Sequence, residues 1–187
     1  MRLKLFCLDK DQQIIDLIKE AQLEKGFKLL VNHYHQKIYW QVRRMVLIHE
    51  DADDVTQNIF IKIYQYLGDF RNEAKLSSWI YRIAYNESIN FMQKRAKEIH
   101  QSVEDYTLAI TDHLQEDDYF DGDEAEIILQ KAIANLPEKQ RIIFMMKYYD
   151  ELKYEEISSI LDTSVGALKA SYHHAVKKIE QFIADNH

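Results

Sequence analysis

The chain has 187 residues, of which 47% are hydrophobic, with only four Gly and one Pro. So few turn formers exclude a hairpin-rich β protein and point to an all-α chain with room for one large or two small domains. The formal net charge of −7 speaks against a uniformly basic nucleic-acid binder, but eleven acidic and no basic residues fall within 98–126, so the remainder carries +4.

Residues 1–24 read as a leader and a short helix whose apolar stripe is Ile14, Ile15, Ile18 and Leu23. The single cysteine, Cys7, has no internal disulfide partner, which fits a reducing cytoplasm. The opening residues are charged too early for a secretory signal, and no apolar run of about 18 residues predicts membrane insertion.

A long helix is predicted over 25–49, from Phe27, Leu30, Val31, Tyr34, Ile38, Val42 and Val46 at three- and four-residue spacing. The next, over 51–67, opens on Asp51, Asp53 and Asp54, carboxylates that suit the positive end of a helix dipole. After a polar loop over 68–77, Ser77 or Ser78 can cap a third helix reaching Lys97. Loop and helix together mix Phe70, Arg71, Asn72, Lys75, Trp79, Tyr81, Arg82 and Tyr85. Rings and cations in such a mixture suit single-stranded DNA, by stacking and phosphate contact. The same pattern is also met by Trp79 and Tyr85 as core residues.

Residues 98–123 show no sustained helical period and a block of like charge, and are expected to be a largely extended acidic linker. The run from Asp117 to Gly122 looks like a calcium loop, but Tyr119 and Ile128 would then stand at ligand positions. No catalytic, metal or cofactor constellation emerges. His33 and His35 point to different helix faces, as do His173 and His174, and His49 with Asp53 is too small a set for a metal.

A second helical domain is expected over 124–187. Pro137 suits a first helical turn. Tyr154 to Leu161 and Val165 to Ile179 form two helices around Asp162, Thr163 and Ser164, with Ser164 placed to cap the second. That is the helix-turn-helix pattern, in which the second helix enters a major groove. Two helices joined by a turn also occur in all-α proteins that touch no DNA. With seven basic and eight acidic residues over 137–187, charge does not decide between them.

Several stretches in order carry a resemblance: DADDVTQNIF from Asp51, FRNE from Phe70, SWIYRIAYN from Ser78, LPEKQR from Leu136, YEEI from Tyr154 and SVGALK from Ser164. Together, over 25–183, the chain resembles bacterial RNA polymerase sigma factors of the extracytoplasmic-function (ECF) group. Its C-terminal helix is similar to members from the Bacteroidetes. The resemblance implies two small helical domains: a region 2-like bundle over 25–97 and a region 4-like helix-turn-helix over 124–187, joined by the acidic linker. It implies core polymerase as partner, through the β′ clamp helices and the β flap, with Asp53, Asp54, Gln57, Asn58 and Phe60 as the clamp-facing residues. It implies −10 recognition by Arg71, Asn72, Lys75 and Asn86, with Arg82, Lys94, Arg95 and Lys97 on phosphates. Trp79 stands where the family carries a strand-separating aromatic, and either melting or packing accounts for it.

For the −35 element the resemblance implies Ala167, Lys169, Ala170, Ser171, His173, His174 and Lys177. The family pattern carries Thr at the place of Ala167 and Arg at Ser171, His174 and Val176, so bidentate guanine contacts are fewer here. The linker would thread the polymerase channel, and an anti-sigma factor is a common partner in the group. The implied role is promoter recognition and DNA melting without catalysis. A stand-alone helix-turn-helix regulator or a helical adaptor that has lost DNA binding are the alternatives; a simple regulator has no need for both Asp51–Phe60 and the loop Phe70–Ser77.

Overall fold

The computed structural model describes residues 10–72, 74–112 and 124–186. Cys7 and the Asp117–Gly122 run lie outside them. Among the described residues there are nine helices and no strand: α1 (Lys10–Lys19), α2 (Leu23–Val46), α3 (His49–Leu67), α4 (Leu76–Glu98), α5 (Val103–Asp112), α6 (Glu124–Ala134), α7 (Glu138–Tyr148), α8 (Tyr154–Leu161) and α9 (Val165–Asp185).

Helices α1 to α4 form the first module. Ile14 and Ile15 of α1 are buried, and Tyr34 of α2 donates its hydroxyl to Asp11. α2 stops at Leu47, which turns left-handed (φ 68°) and returns its N–H to the Arg43 carbonyl. Hence α3 starts at His49, a residue the apolar spacing placed at the end of the helix before. Leu30, Ile38, Val42, Ile59, Ile63 and Ile80 bury fully where α2, α3 and α4 meet. Truncating one of these to Ala would cost about 2–5 kcal/mol.

Asp51 lies in the first turn of α3, where the dipole favours it, and it is also buried and accepts from Arg95 at 2.8 Å, tying the start of α3 to the end of α4. Two local expectations need correction. Neither Ser77 nor Ser78 caps α4. The helix opens at Leu76, which is drawn into the core, and Ser78 is buried within it. Residues 98–123 are not extended throughout, since ten of them form α5. Ser102 Oγ accepts from the Asp105 N–H and starts that helix, while Tyr106, Thr107 and Thr111 bury against α4 and α6. Thr107 and Thr111 donate to carbonyls one turn back. The fully buried positions of this face are Tyr and Thr, with Val103 and Ile110 only partly buried against the core, so hydrophobic spacing shows it weakly.

Helices α6 to α9 form the second module. Pro137 stands one position before α7 as its N-cap residue, and Ile142 to Met146 bury behind it. α8 ends at Asp162, in the left-handed conformation (φ 49°). Ser164 Oγ accepts the Ala167 N–H at 3.3 Å and starts α9, as the sequence predicts. Leu168, Ala175 and Ile179 bury; Val165 and Tyr172 are half-buried. The two modules share one contiguous apolar core, because α5 bridges α4 to α6 and α8 lies directly on α4.

Candidate functional site

On the first module, α2 and α3 leave an open groove of about 900 Å³. Phe27, Val31 and Phe60 give it an apolar floor, while Asp53, Asp54 and Gln57 stand on its rim with Tyr64. The spacing of 53, 57 and 60 puts these groups on one helical face. Of the five residues implied for clamp binding, four line this groove. Asn58 is exposed but does not line it. Phe60 is almost fully buried, stacked on His35 with ring centroids 5.7 Å apart, so it shapes the floor rather than projecting. His35 and Tyr64 were not picked out by motif, although the i and i+4 spacing from Phe60 to Tyr64 offered that signal.

The loop between α3 and α4 exposes Arg71 and Asn72, and Asn72 adopts a left-handed conformation (φ 57°) that Asn tolerates better than most residues. Trp79 is half-buried with its ring 5.3 Å from that of Phe70. Tyr85 is wholly buried, which answers the alternative left open for it in favour of packing. Asn86 and Lys94 are exposed. Arg95 is committed to Asp51 and lies over the Phe91 ring, so the phosphate role implied for it competes with a structural one.

Two other basic residues of this face reach across to the second module. Lys75 Nζ meets Glu156 Oε1 of α8 at 2.8 Å, and Arg82 donates to the Ser159 carbonyl. Behind them, Asp150, in the turn before α8, accepts from Arg44 of α2 at 2.8 Å and from the Tyr85 hydroxyl at 2.7 Å. Arg44 also lies over the Tyr149 ring. Burial pushes the Asp150 carboxyl above its usual range, with Tyr85 and Arg44 pulling the other way. Burial first, then Asp150, raises the Tyr81 hydroxyl to about 12. Lys75 holds Glu156 below the usual carboxylate value. Nothing in the spacing of Arg44, Tyr85 and Asp150 announces this cluster, which only the tertiary fold assembles.

On α9, Ala167, Lys169, Ala170, His173, His174 and Lys177 are exposed on one face, and Ser171 is partly covered. Lys169 lies 5.7 Å from the Tyr154 ring centre, so its ammonium is steadied by an aromatic face of α8.

Residues 30–98 match the family described as Sigma-70 region 2, and residues 126–179 match Sigma-70, region 4. RNA polymerase sigma-H factor of Pseudomonas aeruginosa is 30% identical over 181 residues, covering 92% of this chain and 93% of the relative. The chain belongs to the ECF sigma factors. SigW, an ECF RNA polymerase sigma factor of Bacillus subtilis, is 30% identical over 176 residues, covering 88% and 94%. In fold, the sigma factor is similar to CnrH, solved with the cytosolic domain of CnrY: TM-score 0.71 and 18% identity, covering 96% of this chain and 100% of that one. It is likewise similar to RpoE of Bartonella quintana, solved with the anti-sigma factor NepR: TM-score 0.65 and 18% identity, covering 86% and 98%. The sigma factor is thus an alternative sigma factor of transcription initiation, working with core RNA polymerase and promoter DNA. Its α5 falls between the two matched regions. No helix among the described residues is long and apolar enough to cross a membrane. The likeness of its C-terminal helix to Bacteroidetes members stays an expectation.

Proposed function

We propose that the sigma factor docks on core polymerase through the α2–α3 groove, its acidic rim facing a basic helical partner such as the β′ clamp helices. The observation that carries this is the convergence of Asp53, Asp54, Gln57 and Phe60 on one apolar-floored groove within the region 2 match. Charge complementarity at such a rim speeds encounter and selects the partner, while the floor supplies buried area. The −10 element is read by Arg71, Asn72, Lys75 and Asn86, with Trp79 beside the opened strand and Arg82 and Lys94 on phosphates. The −35 element is read by the exposed α9 face, and the β flap is met by the second module. The factor acts by binding alone and in the cytoplasm, where polymerase and DNA are. An anti-sigma factor is a fitting regulator, since RpoE was solved with one.

The test is run-off transcription with purified core enzyme on genomic promoter fragments. A promoter-dependent product is expected from wild type. Asp54→Lys combined with Gln57→Ala is expected to weaken core binding about tenfold or more, with the helical signal and melting temperature kept. Unchanged core affinity would move the docking site elsewhere.

A further inference from the structure

Between Thr163 and Ile179 the chain carries Lys169, His173, His174, Lys177 and Lys178, and no carboxylate. All five are exposed. The buried side of α9 is Leu168, Ala175 and Ile179, so the outward line of the helix runs through Ala170 and Lys177. Successive residues of a helix are about 100° apart, which sets His173 on one side of that line and His174 on the other. A helix of ~10–12 Å diameter fills a major groove of about 12 Å width. With α9 so placed, the methyl of Ala170 meets the groove floor and the two imidazoles meet opposite walls. Those walls are the phosphates of the two strands.

Neither imidazole is committed elsewhere. Among the described residues neither takes part in a hydrogen bond or an ion pair, and the two rings neighbour each other with centroids 6.0 Å apart. α9 packs against α6, α7 and α8. The charged groups described there are Glu126 and Lys131 on α6, Glu138, Lys139, Arg141 and Lys147 on α7, and Glu155 and Glu156 on α8, with Asp162 in the turn. None of them bonds to His173 or His174, and neither do Tyr148, Tyr149 and Tyr154. Glu156 is held by Lys75, and Glu126 accepts from Gln130. Lys169 and Lys177 stand one turn before and one turn after His173, and Lys178 one turn after His174, so the histidines fill the gaps in a continuous basic face.

We propose that His173 and His174 are phosphate contacts, one to each strand, and that duplex binding by α9 takes up protons at both. The inference rests on the reading of α9 as the −35 helix. A neutral imidazole brings one N–H and no charge; a protonated one brings two N–H donors and a charge. An adjacent phosphate favours the second form. Histidine changes charge within the pH range of living cells, whereas the lysines of the same face do not. The grip of the second module on the promoter therefore strengthens as pH falls.

The experiment uses holoenzyme assembled from core polymerase and the full chain, with a labelled duplex of genomic promoter DNA that gives a run-off product. Affinity is measured between about pH 6 and pH 8, at several salt concentrations. His173→Gln with His174→Gln cannot take the protons. Dividing the wild-type affinity by that of this variant cancels the titrations of polymerase itself. The ratio is expected to rise about tenfold from pH 8 to pH 6. The salt dependence of wild type is expected to steepen over the same range, relative to the variant, by a slope of up to about 2, one unit per phosphate gained. A ratio above one but constant with pH overturns the proton uptake. A ratio of one throughout overturns the phosphate contacts.

Should the Gln pair lose its helical signal, His173→Arg with His174→Arg carries the test, since its charge is constant. Wild-type affinity divided by that of the Arg pair is expected to rise with acidification, and a flat quotient overturns the proposal. The underlying reading is tested separately by Lys169→Ala with Lys177→Ala. Weaker binding at every pH is expected if α9 meets duplex DNA, and unchanged binding removes α9 from the promoter whatever the histidines do.

Discussion

Asp150 sits in an environment that penalises its charge, and the consequence is measurable. Its carboxyl is raised above 3.8 by burial, despite the Tyr85 hydroxyl and Arg44. The folded chain therefore holds this proton at a pH where the unfolded chain has released it. Folding takes up a proton between the two values, so the Asp150 contribution to stability grows as pH falls through that window and is lost as pH rises past the raised value. Asp150→Asn does not titrate. The stability difference between wild type and Asp150→Asn should shift towards wild type on acidification, in denaturant titrations at a series of pH values. A difference constant with pH would contradict it. Gln41 is a second residue with an outcome to test. It is 2% exposed, and both amide atoms lack a hydrogen-bond partner among the described residues. Gln41→Leu, close in volume, is expected to stabilise the fold by about 1–2 kcal/mol in chemical denaturation, because a desolvated amide without partners is unfavourable.

Among the helices, α9 depends on its first turn. Ser164 satisfies the Ala167 N–H, and Ser164→Ala should cost about 1 kcal/mol of stability. The melting temperature of the full chain checks this, with Ser164→Asp expected to restore it. How far the elements could be read in advance depended on what their buried faces are made of. α2, α3 and α9 bury Ile, Leu and Val at helical spacing, and their periods stand out in the sequence. The cap at Ser164 was also legible, being a local hydrogen bond between near neighbours in the chain. α5 was not, because Thr107 and Thr111 gain their place by bonding carbonyls of their own helix while the surrounding acids suggest a solvated tether. For the candidate sites, the groove residues followed from one helical face of α3. The Arg44–Tyr85–Asp150 cluster did not, since its members are separated by 106 and 65 positions and no local rule links them.

At the scale of the molecule, two modules share one apolar core. Calorimetry of the free sigma factor should accordingly show a single cooperative transition rather than two. Asp150→Ala is expected to broaden or divide it, since a carboxylate bonded to both α2 and α4 is then missing from the junction. Two resolved transitions in wild type would show that the modules unfold independently.

The short helix α5 has one more consequence. Its ten residues span about 15 Å as a helix and about 33 Å when drawn straight. Its buried side chains are Tyr106, Thr107 and Thr111, with Val103 and Ile110 partly buried beside them. Unwinding it would pay out roughly 18 Å of chain, about five base pairs of duplex at ~3.4 Å each. α5 thus stores about 18 Å of chain length between the two modules, released only if the helix unwinds.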